Sequence, residues 1–476
     1  MTDHPFFRGR HSGRLILLVI LVATFLRLYG LGVKQLWVDE IIQVISASPD
    51  SISEILSMVK ESKGAVPLDY LIQHIIITIF GRFEFTVRIH AAIFGILAIL
   101  VLYFLVEYLF DRRTALVCSF LYALYPLHHH YSQEARPYSF FVLLTLLSYY
   151  LFLKMLKENK NVYFVLYMLS FLLMIYTYYF GFLVVFTHCV YLLLSRKYST
   201  DDGERVNGRI DGRFALKYAA TLLIPFLLLL PWVVYSFENT QGLTPEQFGA
   251  SLILRVIKEL GNGSYPLAAV LILLAVAGYV YLKKQREAAH AALLLTWLLV
   301  PVPIIFLLIW ARDYFFAIRQ LLFVTPALYI LVTLGIFFIS ERQQGSFKPT
   351  RVTVFLVSLV ALISLTIIIL HYPDKRDDFR SAAAFLERNV SAEDAIVCPE
   401  VTGILSYYYE SVYARERKIS QVLDVSGGAE SGKLYIISTR YMKEEDKRRM
   451  DDLLQGIRPI RTVEFRGITI YVISPS

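Results

Sequence analysis

The sequence predicts a polytopic α-helical membrane protein that carries a small α/β domain at its C-terminal end. Hydrophobic residues make up 56% of the 476 residues, and the mean hydropathy is +0.54. Apolar runs of roughly 20 residues, the length needed to cross a ~30 Å hydrocarbon layer, recur as far as residue 370. From Tyr372 onward, charged residues become frequent, and short alternating segments replace the long apolar runs.

The positions of basic residues in the loops predict the direction of each membrane span. The first apolar run, residues 15–29, follows a basic stretch and lacks a small-residue cleavage site after it, so we interpret it as a retained first helix. Residues 67–80 are apolar but only about four turns long, and we expect them to lie at the membrane interface. Every later cluster of Lys and Arg then falls on the side of the N-terminus, as the positive-inside rule requires. The sequence predicts about eleven spans, with a cytoplasmic N-terminus.

Two domains follow from this organisation. The predicted membrane domain covers residues 1–371 and includes an outer loop at 31–84, and the predicted extracytoplasmic α/β domain covers residues 372–476. Periodicity within the second domain predicts helices at residues 379–388 and 443–454, and strands at residues 395–398, 434–437 and 468–473.

One polar segment interrupts the apolar part of the chain. Residues 128–138, HHHYSQEARPY, lie between two apolar helices of a predicted hairpin, and we name them the polar tip. A charged side chain at membrane depth is costly unless it is paired or lines a wet cavity, so such a cluster indicates a functional site. The apolar run before it, residues 115–127, is too short to span alone, so the polar tip is expected to lie below the outer surface.

The predicted topology brings several ionisable residues to the outer face. The first outer loop contributes an acidic pair, the second span and the polar tip contribute arginines, and a later loop contributes more: Asp39, Glu40, Arg88, Tyr131, Glu134, Arg136, Tyr138, Arg312, Asp313, Tyr314 and Arg319. A carboxylate beside several arginines suits a reaction that deprotonates a hydroxyl while a phosphate leaves. Positive charge aimed at that phosphate stabilises the transition state.

The acidic pair and the histidines also have structural interpretations. Asp39 and Glu40 are adjacent acids in a loop, and such acids are usually only solvated. His128 and His130 are candidates for a divalent metal site, but a single histidine tract without a distant partner more often marks interfacial histidines. No cofactor is therefore assigned, and a divalent metal is kept as an alternative.

The arginines have structural interpretations as well. Arg27, near the end of the first span, is expected to extend to the interface rather than to bind phosphate. Arg88 could pair with Glu84 four residues earlier. Arg136 could satisfy carbonyl groups at the hairpin turn, and Arg319 could hold a helix end. The combination of these residues on one face is stronger evidence for a site than any single one.

Other classes of protein fit the sequence less well. A transporter or flippase of lipid-linked saccharides is the alternative function, but it would need polar residues near the membrane midplane and related halves. A membrane scaffold would need no polar tip. The net charge of +8 lies in short loops without interleaved aromatic residues, so no nucleic-acid partner is expected. The three cysteines match neither a disulfide framework nor a metal-ligand spacing.

Four motifs carry a resemblance to a known family. They are LWVDE at residues 36–40, VPL at 66–68, VRI at 87–89 and, above all, YSQEARPY at 131–138. These motifs resemble the GT-C glycosyltransferases that use polyprenyl-phosphate sugars, in the branch of protein O-mannosyltransferases and bacterial aminoarabinose transferases. The family's proline pair is here Val66-Pro67, which departs from the pattern. The outer-domain motif Asp378-Phe379-Arg380 is similar to bacterial members and favours a prokaryotic plasma membrane.

The resemblance implies an integral-membrane inverting glycosyltransferase of the cell envelope. Its donor would be a hexose or pentose on a polyprenyl phosphate embedded among membrane lipids, and its acceptor a hydroxyl of a lipid, glycan or protein. Asp39 matches the catalytic base, and Glu40 is its neighbour. Donor-phosphate binding is expected of Arg88, Arg136 and Arg319, and the remaining substrate site of Tyr131, Glu134 and Tyr138.

Overall fold

The computed structural model describes residues 10–62, 65–195, 212–236, 250–312, 317–342, 348–370, 376–398, 401–409, 412, 432–456 and 459–474. The chain forms two compact units. The first consists of Met1–Leu31 and Pro49–Tyr372, and the second of Gly32–Ser48 and Pro373–Ser476. The second unit thus combines part of the predicted outer loop with the C-terminal residues. The functional division of the chain at residue 372 stays a prediction.

The first unit is helical throughout its described part. In chain order, its helices are α1 (Arg10–Leu28), α3 (Ile52–Glu61), α4 (Leu68–Phe80), α5 (Glu84–Leu109), α6 (Arg112–Ala123), α7 (Pro126–Tyr131), α8 (Tyr138–Glu158), α9 (Asn161–Thr177), α10 (Gly181–Ser195), α11 (Gly212–Ser236), α12 (Ala250–Leu260), α13 (Tyr265–Lys284), α14 (Ala288–Leu299), α15 (Pro301–Arg312), a 3₁₀ helix (Ile318–Val324), α16 (Thr325–Arg342) and α17 (Pro349–Leu370). The polar tip therefore includes most of α7, a turn and the first residue of α8.

The helices confirm the predicted class of fold. Within the described ranges, seven helical segments are long and apolar enough to cross a membrane: Glu84–Leu109, Tyr138–Glu158, Gly212–Ser236, Tyr265–Lys284, Ala288–Leu308, Ile318–Arg342 and Pro349–Leu370. Each of the predicted spans coincides with a helix or a pair of consecutive helices. The number of crossings stays a prediction, as does the interfacial position of α4.

The interior of the first unit is built around α16. The segment Ile318–Arg342 is 89% buried over its most apolar window, more than any other candidate span among the described residues. Gly335 of α16 faces Gly278 of α13. A Cβ atom at Gly278 would clash with the carbonyl of Leu331, and one at Gly335 would clash with the carbonyl of Leu274. Both positions need glycine because the two helix backbones touch there.

The second unit is a small α/β domain. Its elements are α2 (Val38–Ser46), α18 (Phe379–Asn389), β1 (Ala395–Val397), α19 (Thr402–Ser406), β2 (Leu434–Thr439), α20 (Glu444–Gly456), β3 (Arg461–Phe465) and β4 (Ile468–Ile473). The sheet has the order β1-β2-β4-β3, in which β1 and β2 are parallel and the other neighbours are antiparallel. Ile396, Ile436 and Ile470 are completely buried on its strands.

The predicted helices and strands of the C-terminal region are confirmed, and one strand was not predicted. Strand β3 lies at the edge of the sheet, and none of its five residues is fully buried. Its sequence, RTVEF, gives no run of apolar residues that periodicity could detect. The short helices α2 and α3 fell within a predicted loop, and that prediction was wrong there, because both are amphipathic segments of only nine and ten residues.

Candidate active site

The first half of the polar tip caps the end of helix α1. The side-chain nitrogen of Gln133 donates towards the carbonyl oxygens of Leu26, Arg27 and Tyr29, at 3.2, 3.1 and 3.0 Å. A ring nitrogen of His129, Nε2, lies 3.0 Å from the Leu26 oxygen. The last carbonyl groups of a helix have no partner within the helix, so these side chains supply the missing hydrogen bonds. This half of the segment fixes the first helix.

Arg27 is held in the same place, and its predicted extension to the interface was wrong. The side chain is completely buried, and its Nη1 donates to the carbonyl of Ala123 at 3.2 Å. Its Nη2 lies 2.9 Å from Nδ1 of His128. A guanidinium can only donate, so Nδ1 of His128 must be the acceptor in this bond. Arg27 remains inside the bundle because α6 and the polar tip provide these acceptors.

The two candidate metal-binding histidines turn to different partners. His128 faces Arg27, whereas Nε2 of His130 lies 3.1 Å from Oε1 of Glu134. Across the ranges that the structure describes, no group of three His, Cys, Asp or Glu side chains is arranged to hold a metal ion. The geometry therefore does not bring His128 and His130 together as ligands of one ion.

The second half of the polar tip meets a residue from a distant part of the chain. The guanidinium groups of Arg136 and Arg319 lie 5.8 and 5.7 Å from the ring centroid of Tyr138. The ring of Tyr131 packs edge-on against Tyr138, with their centroids 5.2 Å apart. Tyr138 is buried, and both arginines are half-buried. We name Tyr131, Glu134, Arg136, Tyr138 and Arg319 the arginine–tyrosine cluster.

The acidic member of this cluster lies close to Tyr131. Glu134 is buried, and burial together with the nearby Glu134 charge raises the pKa of the Tyr131 phenol well above its usual range. Arg319 acts on that pKa in the opposite direction, and both Arg319 and Tyr131 contact the ring of Tyr138. Tyr131 is therefore a neutral hydroxyl at physiological pH. The structure brings together five residues that the sequence predicted for one site.

Helix α4 extends the cluster with residues that the sequence analysis did not assign to the site. Tyr70 is buried; burial raises the pKa of its phenol, and the positive charge of Arg136 acts in the opposite direction. The neighbour of Tyr70, Asp69, is completely buried, as is Gln73 four residues later. Polar residues four apart in an apolar helix were visible in the sequence and could have predicted a buried polar face.

Arg88 makes a structural contact that the sequence analysis did not consider. The side chain is 1% exposed, and its Nη1 donates to the carbonyl of Leu31 at 2.9 Å. Leu31 follows the end of α1, so Arg88 helps to hold the chain where it leaves the first helix. Its predicted role in binding the donor phosphate stays a proposal.

The acidic pair lies in the second unit, in the first turn of α2, and its two members differ. Glu40 is completely buried, and its Oε2 accepts hydrogen bonds from the backbone N–H of Trp37 at 3.2 Å and from Arg376 at 2.9 Å. Arg376 also donates to the carbonyl of Gln35 at 2.8 Å. Asp39 is partly exposed. Glu40 thus stabilises the start of α2, and Asp39 is the more accessible acid.

Two of the other predicted residues, Asp313 and Tyr314, lie outside the residues that the structure describes, as does the side chain of Arg312. Arg376 was missed by the sequence analysis because it lies 336 positions from Glu40. No local pattern relates two residues at that separation.

Comparisons with known proteins agree with this geometry. Residues 64–202 match the family model described as dolichyl-phosphate-mannose-protein mannosyltransferase. The match includes the polar tip but not Asp39 and Glu40. No curated protein sequence matches the chain.

Solved structures share the fold over almost the whole chain. The apo crystal structure of ArnT from Cupriavidus metallidurans has a TM-score of 0.64 at 12% identity, covering 98% of this chain and 100% of that one. The same protein bound to undecaprenyl phosphate has a TM-score of 0.62 at 12% identity, with the same coverage. An oligosaccharyltransferase from Archaeoglobus fulgidus has a TM-score of 0.57 at 14% identity, covering 94% and 72%. Over residues 64–202 the chain is thus similar to a mannosyltransferase family, and over almost its whole length it shares the fold of these solved structures, as the resemblance seen in the motifs predicted.

Proposed function

We propose that this protein transfers a sugar from a polyprenyl-phosphate donor to the hydroxyl group of a lipid, glycan or protein acceptor. The observation that carries the proposal is the meeting of Arg136 and Arg319 at the ring of Tyr138. Guanidinium groups bind phosphate oxygens through charge-assisted hydrogen bonds, and two of them match the charge of a lipid phosphate. The similar fold of ArnT, crystallised with undecaprenyl phosphate, supports this donor class.

In the proposed reaction, Asp39 acts as the general base. Its carboxylate takes the proton of the acceptor hydroxyl while the hydroxyl oxygen attacks the anomeric carbon. The bond from that carbon to the phosphate oxygen breaks, and the polyprenyl phosphate leaves with the electron pair. Attack from the face opposite the phosphate inverts the anomeric configuration. Arg136 and Arg319, with Arg88 as a further candidate, stabilise the negative charge that grows on the leaving phosphate.

The proposed location is the outer face of a prokaryotic plasma membrane. The distribution of Lys and Arg in the sequence supports a cytoplasmic N-terminus and an extracytoplasmic C-terminal domain. A donor whose tail lies in the bilayer reaches the reaction without a nucleotide, and the enzyme then needs no phosphate-binding loop for a nucleotide sugar.

Replacing Asp39 by Asn tests the proposal. A carboxamide has nearly the same shape but cannot take the proton, so transfer of radiolabelled sugar from a polyprenyl-phosphate donor should fall about 10²- to 10⁴-fold. Asp50→Asn is the matched control, because Asp50 is an exposed acid eleven positions further along the chain. It should transfer sugar at the wild-type rate, and all three proteins should reach the membrane in equal amounts.

Near-normal turnover by Asp39→Asn would contradict the role of the base. Movement of labelled donor across a liposome bilayer, without consumption of the donor, would instead favour the alternative of a transporter or flippase.

A further inference from the structure

Helix α4 presents its polar residues to the protein interior and its apolar residues outward. Its buried residues are Asp69, Tyr70, Gln73 and Ile77, and three of these four are polar. The apolar residues Ile75, Ile79 and Phe80 are instead 56%, 65% and 60% exposed. A helix on the surface of a water-soluble core shows the opposite arrangement. The face of α4 that packs inside is therefore built for polar contacts.

Gln73 lies on this face and His90 lies opposite it. Both are buried, and both carry polar atoms that form no hydrogen bond with any described residue. Gln73 is completely buried, and neither its nitrogen nor its oxygen has a hydrogen-bond partner among the described residues. His90 on α5 is 3% exposed, and the same holds for both of its ring nitrogens. Its Nε2 lies 3.7 Å from Oδ1 of Asp69, which is an ion-pair distance but longer than a hydrogen bond. Burying such groups without hydrogen bonds is unfavourable, so their retention indicates a ligand.

The chemistry of the three side chains identifies the class of ligand. The carboxamide of Gln73 offers two donors and an acceptor, the imidazole of His90 offers a donor or an acceptor at each nitrogen, and the carboxylate of Asp69 accepts. Sugar hydroxyl groups, which both donate and accept, match this set. A phosphate does not, because the Asp69 carboxylate would repel it.

The position of the three side chains relates them to the phosphate site of the proposed function. Ser139, which follows Tyr138 of the arginine–tyrosine cluster, donates a hydrogen bond at 2.8 Å to the carbonyl of Ala91, the residue next to His90. Tyr70, which follows Asp69, is close enough to Arg136 for its charge to act on the pKa of the Tyr70 phenol. A sugar joined to a phosphate at Arg136 would therefore extend towards this face of α4. We infer that Asp69, Gln73 and His90 bind the hydroxyl groups of the donor sugar and select which sugar is accepted. This inference rests on the proposed function, since it takes the donor to be a sugar on a polyprenyl phosphate.

Gln73→Leu tests the inference, because leucine keeps most of the volume and removes the polar atoms. Binding to purified protein in detergent is measured for undecaprenyl phosphate alone and for its mannose, glucose, galactose and arabinose esters. We expect the wild type to bind one ester at least about tenfold more tightly than undecaprenyl phosphate alone. In Gln73→Leu this preference should disappear, while the affinity for undecaprenyl phosphate alone stays unchanged. Asp69→Asn should reduce the preference in the same direction.

His74→Leu is the matched control, because it removes a polar side chain from the next position of α4, outside the buried face. It should keep the sugar preference. If Gln73→Leu bound undecaprenyl phosphate and its four sugar esters more weakly by the same factor, the amide would only support the fold. That result would overturn the inference. A wild type that binds no ester more tightly than the bare lipid phosphate would overturn it as well.

The binding assay separates this inference from the proposed role of Asp39. If Asp39→Asn transferred sugar normally while Gln73→Leu lost its preference, the base would be wrong and the sugar site would stand. If Asp39→Asn were inactive and Gln73→Leu kept the sugar preference, the assignment of the base would stand and the sugar site would be wrong.

Discussion

The two halves of the polar tip, residues 128–133 and 134–138, both carry polar side chains, but these side chains have different partners. In the first half, Gln133 and His129 reach the last carbonyl groups of α1, and His128 accepts from Arg27. In the second half, Arg136 lies against the ring of Tyr138. The first half thus caps a neighbouring helix, whereas Arg136 of the second half places its positive charge beside an aromatic ring.

This difference indicates which half can exchange its contacts for a ligand. A hydrogen bond to a buried carbonyl leaves an unsatisfied acceptor when it breaks, which costs about 1–3 kcal/mol. A cation over an aromatic ring contributes about 0.5–2 kcal/mol, and a phosphate offers the same guanidinium stronger, charge-assisted hydrogen bonds. The contact between Arg136 and the Tyr138 ring can therefore be exchanged for a phosphate at little cost. Residue type alone does not separate structural from functional arginines, so we use the partner of the guanidinium to predict which arginines bind the ligand.

Among the tests of this comparison, the largest effect is expected from Arg319→Ala, which removes the arginine that meets the second half of the polar tip at Tyr138. Loss of one positive charge at the phosphate should lower kcat/KM by about 10²- to 10³-fold, because that charge acts on the developing negative charge of the leaving group. The unfolding temperature should change little, since the side chain is half-buried and faces a ring. Sugar transfer and thermal unfolding in detergent measure the two quantities.

Arg113→Ala is the matched control for Arg319→Ala. The Arg113 guanidinium also lies over an aromatic ring, 4.6 Å from the centroid of Phe337, but it is outside the polar tip. It should leave kcat/KM unchanged. An equal loss of transfer in both variants would mean that the contact with a ring, rather than a phosphate, accounts for the effect, and the distinction between the two halves would fail.

Much of the fold and part of the site could be predicted from the sequence, for identifiable reasons. Long apolar runs predict helices wherever they occur, and the motif YSQEARPY keeps Tyr131, Arg136 and Tyr138 within eight residues of the sequence. Arg319 was added by the predicted topology, which placed its loop on the same face, and by the resemblance. What periodicity could not give was the partner of each polar group. Arg27 has the position of a residue that extends to the interface, yet it ends on Ala123 and His128 because α6 covers it.

The same limit applies to the acidic pair. The sequence presents Asp39 and Glu40 as equals, because nothing nearby distinguishes one carboxylate from the other. The difference arises from tertiary structure: Glu40 is completely buried and accepts a hydrogen bond from Arg376, whereas Asp39 is partly exposed. A partner 336 positions away depends on tertiary packing and has no trace in local composition. The orphaned amide of Gln73 escaped prediction for the same reason.

An intermediate effect is expected from Glu40→Gln, which extends the comparison to this pair. Glutamine keeps an oxygen for the Trp37 N–H but loses the charge that pairs with Arg376, so the free energy of unfolding should fall by about 1.5–3 kcal/mol. The folded fraction should retain transfer, in contrast to Asp39→Asn. Loss of transfer without loss of stability would show that Glu40, and not only Asp39, takes part in the reaction.

The smallest effect is expected from Gln133→Leu, which tests the capping half. Removing the amide deprives the carbonyls of Arg27 and Tyr29 of this donor, whereas the Leu26 carbonyl keeps its contact with His129. Because part of the cap remains, the free energy of unfolding should fall by only about 1–2 kcal/mol. Transfer by the folded fraction should be unchanged, which is the reverse of the pattern expected for Arg319→Ala. If Gln133→Leu instead lost transfer at full stability, the cap would belong to the active site, and the partners of polar atoms would no longer separate the two halves.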